Sequence, residues 1–220
     1  MQSVKQEITE AEQLFYGQYL PVLTEAIIKV LAEIAQWRDT RQRQTGRDPL
    51  IYTTARIKSA ESMRAKLLRL GRVPTAVSAL TAVHDAAGVR AVCLFTEEIY
   101  QLAEALEHEQ GICVLQQKDY IKSPKPSGYR SYHMIIAQQI GAYVVPVEIQ
   151  LRTIAMDSWA ALEHEIQYKQ DVPQEERQLI CAELKRCADE IASTEISMET
   201  IRELIAKGGS KDHADLTSRR

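Results

Sequence analysis

Residues 118–133 read Lys-Asp-Tyr-Ile-Lys-Ser-Pro-Lys-Pro-Ser-Gly-Tyr-Arg-Ser-Tyr-His. Ahead of the final histidine stand four lysine or arginine side chains, three tyrosines, two prolines and a glycine. Pro124, Pro126 and Gly128 forbid a continuous helix. The cations therefore sit on irregular backbone, free to converge on one anion. Tyr129 and Tyr132 add ring faces on which a base can stack. A solvated basic loop is the plainer reading, but such loops mix charge signs and lack aromatics. A pocket for a nucleotide with several phosphates accounts for both the charge and the rings.

Three further clusters point the same way. Arg56 and Lys58 alternate on an extended segment and share a side. Ser62 and Lys66, four apart, share a face of the helix expected after them. A helix N-terminus ringed by cations suits a phosphate chain, although an exposed basic helix would look the same. In His84-Asp-Ala-Ala-Gly-Val-Arg90, Asp85 stands at the entry to a buried strand and Arg90 lies inside an apolar run. A charge there needs a partner or a ligand, and an Asp85–Arg90 ion pair is the structural alternative. In Val147-Glu-Ile-Gln-Leu-Arg-Thr153, alternation sets Glu148, Gln150 and Arg152 on one strand face and Val147, Ile149 and Leu151 on the other. That pattern fits the floor of a polar pocket, or a solvent-facing edge strand.

Common alternatives are missing. The chain has no GxxxxGK[ST] phosphate loop and no GxGxxG. His164-Glu165 lacks the second histidine of a zinc HExxH site, and no serine occupies a GxSxG elbow. His84-Asp85 could begin a metal phosphohydrolase of the HD type, but the remaining histidines supply no convincing ligand set.

These residues need elements to hold them. Leu20, Leu23, Ile27, Val30, Leu31 and Ile34 recur at helical spacing, and the polar residues 42–49 end that helix. A second helix is expected from Ser59 to Leu70, closed by Gly71 and Pro74. Gly88 to Phe95 reads as a buried strand, Glu97 to His108 as a helix and Ile112 to Leu115 as a strand. Ser131–Ala137 and Tyr143–Leu151 form a hairpin about Gly141. Ile154–Lys169 is helical, with Thr153 as N-cap candidate. Gln174–Ile205 is a long amphipathic stretch whose seam runs through Ile180, Leu184, Cys187 and Ile191 to Met198, Ile201 and Ile205. Residues after Lys207 read as disordered. The order implies an α/β (α+β) fold with a mixed sheet flanked by helices. The linear division is a helical segment over 1–48, a core over 49–170, a C-terminal packing or oligomerisation helix over 171–207 and a tail over 208–220.

Composition narrows the class. The 220 residues are 45% hydrophobic and 26% charged, ordinary for a globular protein. No apolar run nears the ~18 residues of a membrane span, and residues 1–10 lack a signal peptide's apolar region. The four cysteines form no CxxC pair, and Cys93 and Cys113 lie in apolar runs that suit buried thiols. A reducing, cytoplasmic setting follows. The net charge of -3 disfavours a dedicated DNA-binder but leaves room for a local basic cleft.

In their order and spacing the four clusters resemble the small alarmone synthetases, stand-alone relatives of the synthetase domain of RelA/SpoT-family (p)ppGpp enzymes. The resemblance covers roughly residues 22–169. It is carried by Arg56-x-Lys58, Asp85-Ala-Ala-Gly-Val-Arg90, Asp119-Tyr-Ile, Pro126-Ser-Gly-Tyr-Arg-Ser-Tyr-His133, Val147-Glu-Ile-Gln-Leu-Arg-Thr153 and Met156 through Glu163-His164 to Tyr168-Lys169. No hydrolase portion precedes it and no long regulatory region follows, which points to the small, single-domain class. The fold it implies is a synthetase core of nucleotidyltransferase-like type with a long C-terminal helix.

The resemblance implies transfer of the β,γ-pyrophosphate of ATP to the 3′-hydroxyl of GDP or GTP, releasing AMP. It makes Asp85 and Glu148 the catalytic carboxylates and Mg²⁺ ligands, with Glu148 accepting or orienting the 3′-hydroxyl proton. Arg56 and Arg90 would sandwich adenine, and Lys58, Ser62 and Lys66 would hold the ATP phosphates. On the acceptor side Tyr129 would stack on guanine. Lys118, Lys125 and His133 would engage phosphates, Gln150 and Arg152 would shape the floor, and Glu163 would add a contact. Lys118 stands where many relatives have arginine, and lysine lacks the bidentate fork. The family precedent adds a homotetramer, with guanosine tetra- or pentaphosphate as allosteric ligand in some members. Two competing readings are nucleotidyl transfer, which releases pyrophosphate, and a nucleotide- or single-stranded-RNA-binding regulator without synthetase activity. Retention of both Asp85 and Glu148 argues against the latter, because anion binding gains nothing from acids in the pocket.

Overall fold

The structure is a computed structural model that describes residues 8–168 and 173–217. Residues 1–7 and Lys169, the end of the motif series, lie outside them. The chain divides into two compact units: Met1–Ser123 with Arg130–Ile154, and Pro124–Tyr129 with Ala155–Arg220.

The first unit is built on five strands: β1 (Leu50–Ile57), β2 (Ala87–Cys93), β3 (Ile112–Asp119), β4 (Tyr132–Ile140) and β5 (Tyr143–Thr153). Their order is β1-β2-β5-β4-β3. β2 and β5 run parallel, and the other neighbours are antiparallel. Alternation along β5 leaves Val145, Val147, Ile149 and Leu151 fully buried, with Glu148 and Gln150 half-buried on the opposite face. Helix α2 (Leu20–Thr45) and helix α5 (Thr96–His108) pack on the sheet and on each other. Their buried stripes are Leu23, Ala26, Ile27, Val30 and Ile34, and Ile99, Leu102, Ala103 and Leu106. At about 25 cal/mol per Å² of apolar surface, such stripes supply most of the drive to fold. The sequence boundary at residue 48 thus falls between two elements of one unit.

Shorter helices complete it: α1 (Glu10–Tyr16), α3 (Ala60–Arg69) and α4 (Ala76–Thr81). The second helix begins as expected, with Ser59 Oγ accepting the Ser62 N–H. α4 went unread, because six residues are too short for a periodic signal. β3 continues four residues past the Leu115 end expected for it, so Lys118 and Asp119 belong to a strand rather than to the loop. Their cross-strand partners are His133 and Tyr132. Edge position also corrects the reading of Cys113, which is exposed, whereas Cys93 is buried as expected.

The second unit holds α6 (Ile154–Tyr168, from Ala155), α7 (Gln174–Thr217) and the Pro124–Tyr129 loop. α7 carries the helix through residues 208–217 of the stretch read as a disordered tail. No proline interrupts it, and two glycines cost about 1 kcal/mol each in a helix already propagating. The expected seam is also revised. Leu184 and Ala188 are buried, while Met198, Ile201 and Ile205 are exposed. Among the described residues, no helix is long and apolar enough to cross a membrane.

Candidate active site

Register brings the sequence clusters onto one sheet face. Arg56 on β1 pairs with Gly88 on β2, which pairs with Glu148 on β5. The next row on that face runs from Thr54 through Arg90 and Gln150 to His133 and Lys118. These rows floor an open cleft of about 230 Å³ lined by Thr54, Arg56, Asp85, Gly88, Arg90, Glu148 and Gln150, among others. Gly88 sits between Arg56 and Glu148 in the first of these rows. A Cβ there would meet Arg56 and Glu148 backbone oxygens at 3.8 and 4.0 Å, ordinary contacts, so any larger side chain would rise into the cleft.

Asp85 lies where the chain enters β2. Lys58 Nζ and Lys66 Nζ reach its Oδ2 at 3.0 and 2.7 Å. The ion pair considered with Arg90 is replaced by these two, because Lys58 follows the edge of β1 and Lys66 lies one turn beyond Ser62 on α3. Burial pushes the Asp85 carboxyl up, but the lysine hydrogen bonds outweigh it and hold the group below its ordinary value. Asp85 lines the cleft and its Oδ1 is buried without a hydrogen-bond partner; an orphaned carboxylate oxygen is a ready cation ligand.

Glu148 is held from two sides. His133 Nδ1 lies 3.3 Å from its Oε1, and Gln150 Nε2 donates to its Oε2 at 3.1 Å. Gln150 Oε1 in turn accepts from Arg90 Nη2 at 3.4 Å and Arg152 Nη2 at 3.3 Å. Burial raises the Glu148 pKa and the Asp85 charge adds to that. His133 and Gln150 pull it down and prevail, so the carboxyl sits below its usual range. The Tyr120 and His133 rings pack nearly perpendicular, with centroids 5.2 Å apart.

Ser62 is exposed on α3 and Lys118 exposed on β3. In the second unit, Lys125 Nζ lies 4.6 Å from the Tyr129 ring centroid, Tyr129 is buried and Glu163 is half-buried on α6. The α3 N-terminus is less open than its sequence suggests. Glu12 Oε1 accepts the Ala60 N–H, and Ser59 accepts that of Ser62. Sequence reading also missed Tyr16, whose hydroxyl donates to the Lys58 carbonyl at 2.7 Å. No local pattern could announce a partner 42 residues away.

Among the described residues, no cluster of three or more histidine, cysteine or acidic side chains is arranged as a metal cage. Two hard carboxylates fit a Mg²⁺ ion that takes most of its ligands from water and phosphate.

A family model described as a region found in RelA/SpoT proteins matches residues 55–173. The chain is 42% identical over 150 residues to the GTP pyrophosphokinase YwaC of Bacillus subtilis (strain 168), covering 66% of this chain and 70% of that protein. It is 31% identical over 158 residues to the GTP pyrophosphokinase YjbM of the same organism, covering 70% and 74%. The crystal structure of small alarmone synthetase 2 from Bacillus subtilis superposes with a TM-score of 0.72 at 36% identity, over 84% of this chain and 96% of that one. Small alarmone synthetase 1 from Bacillus subtilis, bound to its product pppGpp, gives 0.74 at 28% identity, over 85% and 95%.

Proposed function

Because the chain belongs to the RelA/SpoT family, and within it to the small alarmone synthetases, we propose how its own residues carry out a GTP pyrophosphokinase reaction. The activity is (p)ppGpp synthesis: the acceptor 3′-oxygen bonds to the β-phosphorus of ATP. The bond from that phosphorus to the α,β-bridging oxygen breaks, AMP leaves, and the 3′-hydroxyl proton passes to water. The observation that carries the residue assignment is one cleft lined by Asp85, Glu148, Arg56 and Arg90, with Lys58 and Lys66 both paired to Asp85.

ATP enters this cleft. Arg56 and Arg90, on neighbouring strands, offer planar groups to the adenine. Lys58 and Lys66 turn from Asp85 to the triphosphate, and Ser62 adds a hydroxyl. Asp85 and Glu148 would hold Mg²⁺, which would neutralise phosphate oxygens and orient the leaving group. Glu148, with its pKa held down, is ionised at neutral pH and a weak proton acceptor. It is better suited to orienting the 3′-hydroxyl than to removing its proton unaided. His133 and Gln150 fix its direction. Tyr129 stacks on guanine, Lys118 and Lys125 meet acceptor phosphates, Gln150 and Arg152 define the floor, and Glu163 contacts the acceptor.

Incubation with ATP, Mg²⁺ and, in turn, GDP, GTP and GMP, followed by chromatography, tests the reaction. AMP and a 3′-pyrophosphorylated guanine nucleotide are expected. Pyrophosphate in place of AMP would mean nucleotidyl transfer instead. We also propose a homotetramer, for which the exposed Met198, Ile201 and Ile205 of α7 offer apolar surface to cover. Product binding is supported by the pppGpp-bound relative, and a flat rate on titrating pppGpp would remove it as an effector.

A further inference from the structure

Gly128 sits in the middle of the loop that carries Lys125 and Tyr129. Its φ is 91°, a conformation that side-chain-bearing residues rarely adopt. A second constraint is steric. A Cβ on Gly128 would stand 2.6 Å from the Ala188 Cβ and 3.0 Å from the Lys185 Cα. The loop backbone therefore lies directly against α7, and the side chain it meets is the smallest one available. Ala188 is 4% exposed. About one turn earlier, the Leu184 carbonyl accepts the Trp159 indole N–H at 3.2 Å. Loop and α6 are thus fastened to the same stretch of α7.

The loop is folded about this point. Gly128 N–H donates to the Lys125 carbonyl at 2.8 Å, and Lys125 N–H to the Tyr129 carbonyl at 3.2 Å. A shift of Gly128 would carry both flanking side chains with it. Leucine and alanine both have high helix propensity, so α7 by itself would accept either at position 188. The demand for a small residue comes from Gly128.

We propose that Ala188 is a positioning residue for the acceptor nucleotide: its small size lets Gly128 seat on α7, and that seat holds Lys125 and Tyr129 in place for the guanine nucleotide. The idea rests on the reading that this loop binds the acceptor. It gives the C-terminal helix a role in substrate affinity that is separate from assembly.

The test uses the full chain with Ala188→Leu, and Ala182→Leu at an exposed position of α7 as control. Ala188→Leu is expected to raise KM for GDP or GTP roughly tenfold, the order of one lost stacking contact, with KM for ATP unchanged. Hydrogen–deuterium exchange of residues 120–131 should quicken in Ala188→Leu and not in Ala182→Leu. Ala188→Gly keeps the space and should show a smaller rise than Ala188→Leu. Unchanged loop exchange in a folded Ala188→Leu protein would overturn the proposal, as would equal rises in both KM values. Faster exchange with an unchanged acceptor KM would also overturn it. Tyr129→Ala then locates the fault: an unchanged acceptor KM there places it in the reading of the loop, and a raised one places it in the coupling through Ala188.

Discussion

Glu148 shows how a single side chain is prepared for its task. Burial and the Asp85 charge oppose its ionisation, and His133 and Gln150 favour it more strongly. Glu148→Gln should keep the fold, because Gln can still accept from Gln150, yet lower AMP production by at least ~10²-fold. Initial rates and a thermal melt measured side by side check both halves; a variant turning over near the wild-type rate would remove Glu148 from the mechanism. Tyr129→Ala should cost about 1–3 kcal/mol of acceptor binding through lost stacking. Steady-state rates with ATP and GTP varied separately would show the assignment to be wrong if only the ATP constant moved. The strand-borne residues were legible because period-two alternation fixes which side chains share a face. Asp85's partners were not, since an ion pair between residues on different elements leaves no local trace. Glu12 at the α3 N-terminus was hidden for the same reason.

At the level of elements, two supports lie outside the motifs. α1 places the Tyr16 hydroxyl on the Lys58 carbonyl, so an element far from the cleft in sequence fixes where the Lys58 side chain starts. Tyr16→Phe should lower stability by about 1 kcal/mol and raise KM for ATP more than KM for the acceptor. Denaturant melts and paired kinetics read both effects, and an unchanged ATP constant would confine Tyr16 to packing. The α2–β1 corner is closed by Asp48, which accepts from Arg38 and from the Leu50 N–H. The Arg38 hydrogen bond holds the Asp48 carboxyl below its ordinary value of 3.8. Its folded pKa is depressed, so its contribution is complete above that value and lost as pH falls through the folded one. Asp48→Asn should therefore melt lower than wild type at neutral pH, with the gap closing as the buffer is taken below the ordinary carboxyl value of 3.8. An unchanged gap at low pH would show that the corner does not depend on this charge. Long periodic helices and the β4–β5 hairpin were readable from pattern. The extra length of β3 and all of α4 were not, because pairing partners and short capped turns are set by tertiary contacts.

Across the whole molecule, apolar surface is used unevenly. Met198, Ile201, Leu204 and Ile205 of α7 are all more than half exposed, and several such residues on one helix suggest a surface meant to be covered. Light scattering should give a tetramer mass for the wild type and a smaller species for Ile201→Glu with Ile205→Glu. A monomer mass for the wild type would dispose of the assembly. The helical seam was legible as a period, but which part of it turns inward was not. Ala188, too small to register as hydrophobic in a pattern, is buried, and the larger residues farther along are not.

The family match begins at residue 55, partway along β1 and after the whole of α2. A fragment trimmed to that match would lose Leu50 from the strand's start and the roof formed by Leu23, Ile27, Val30 and Ile34. Every motif would remain, yet of the two helices that cover this face of the sheet only α5 would be left, and such a truncate should precipitate rather than catalyse.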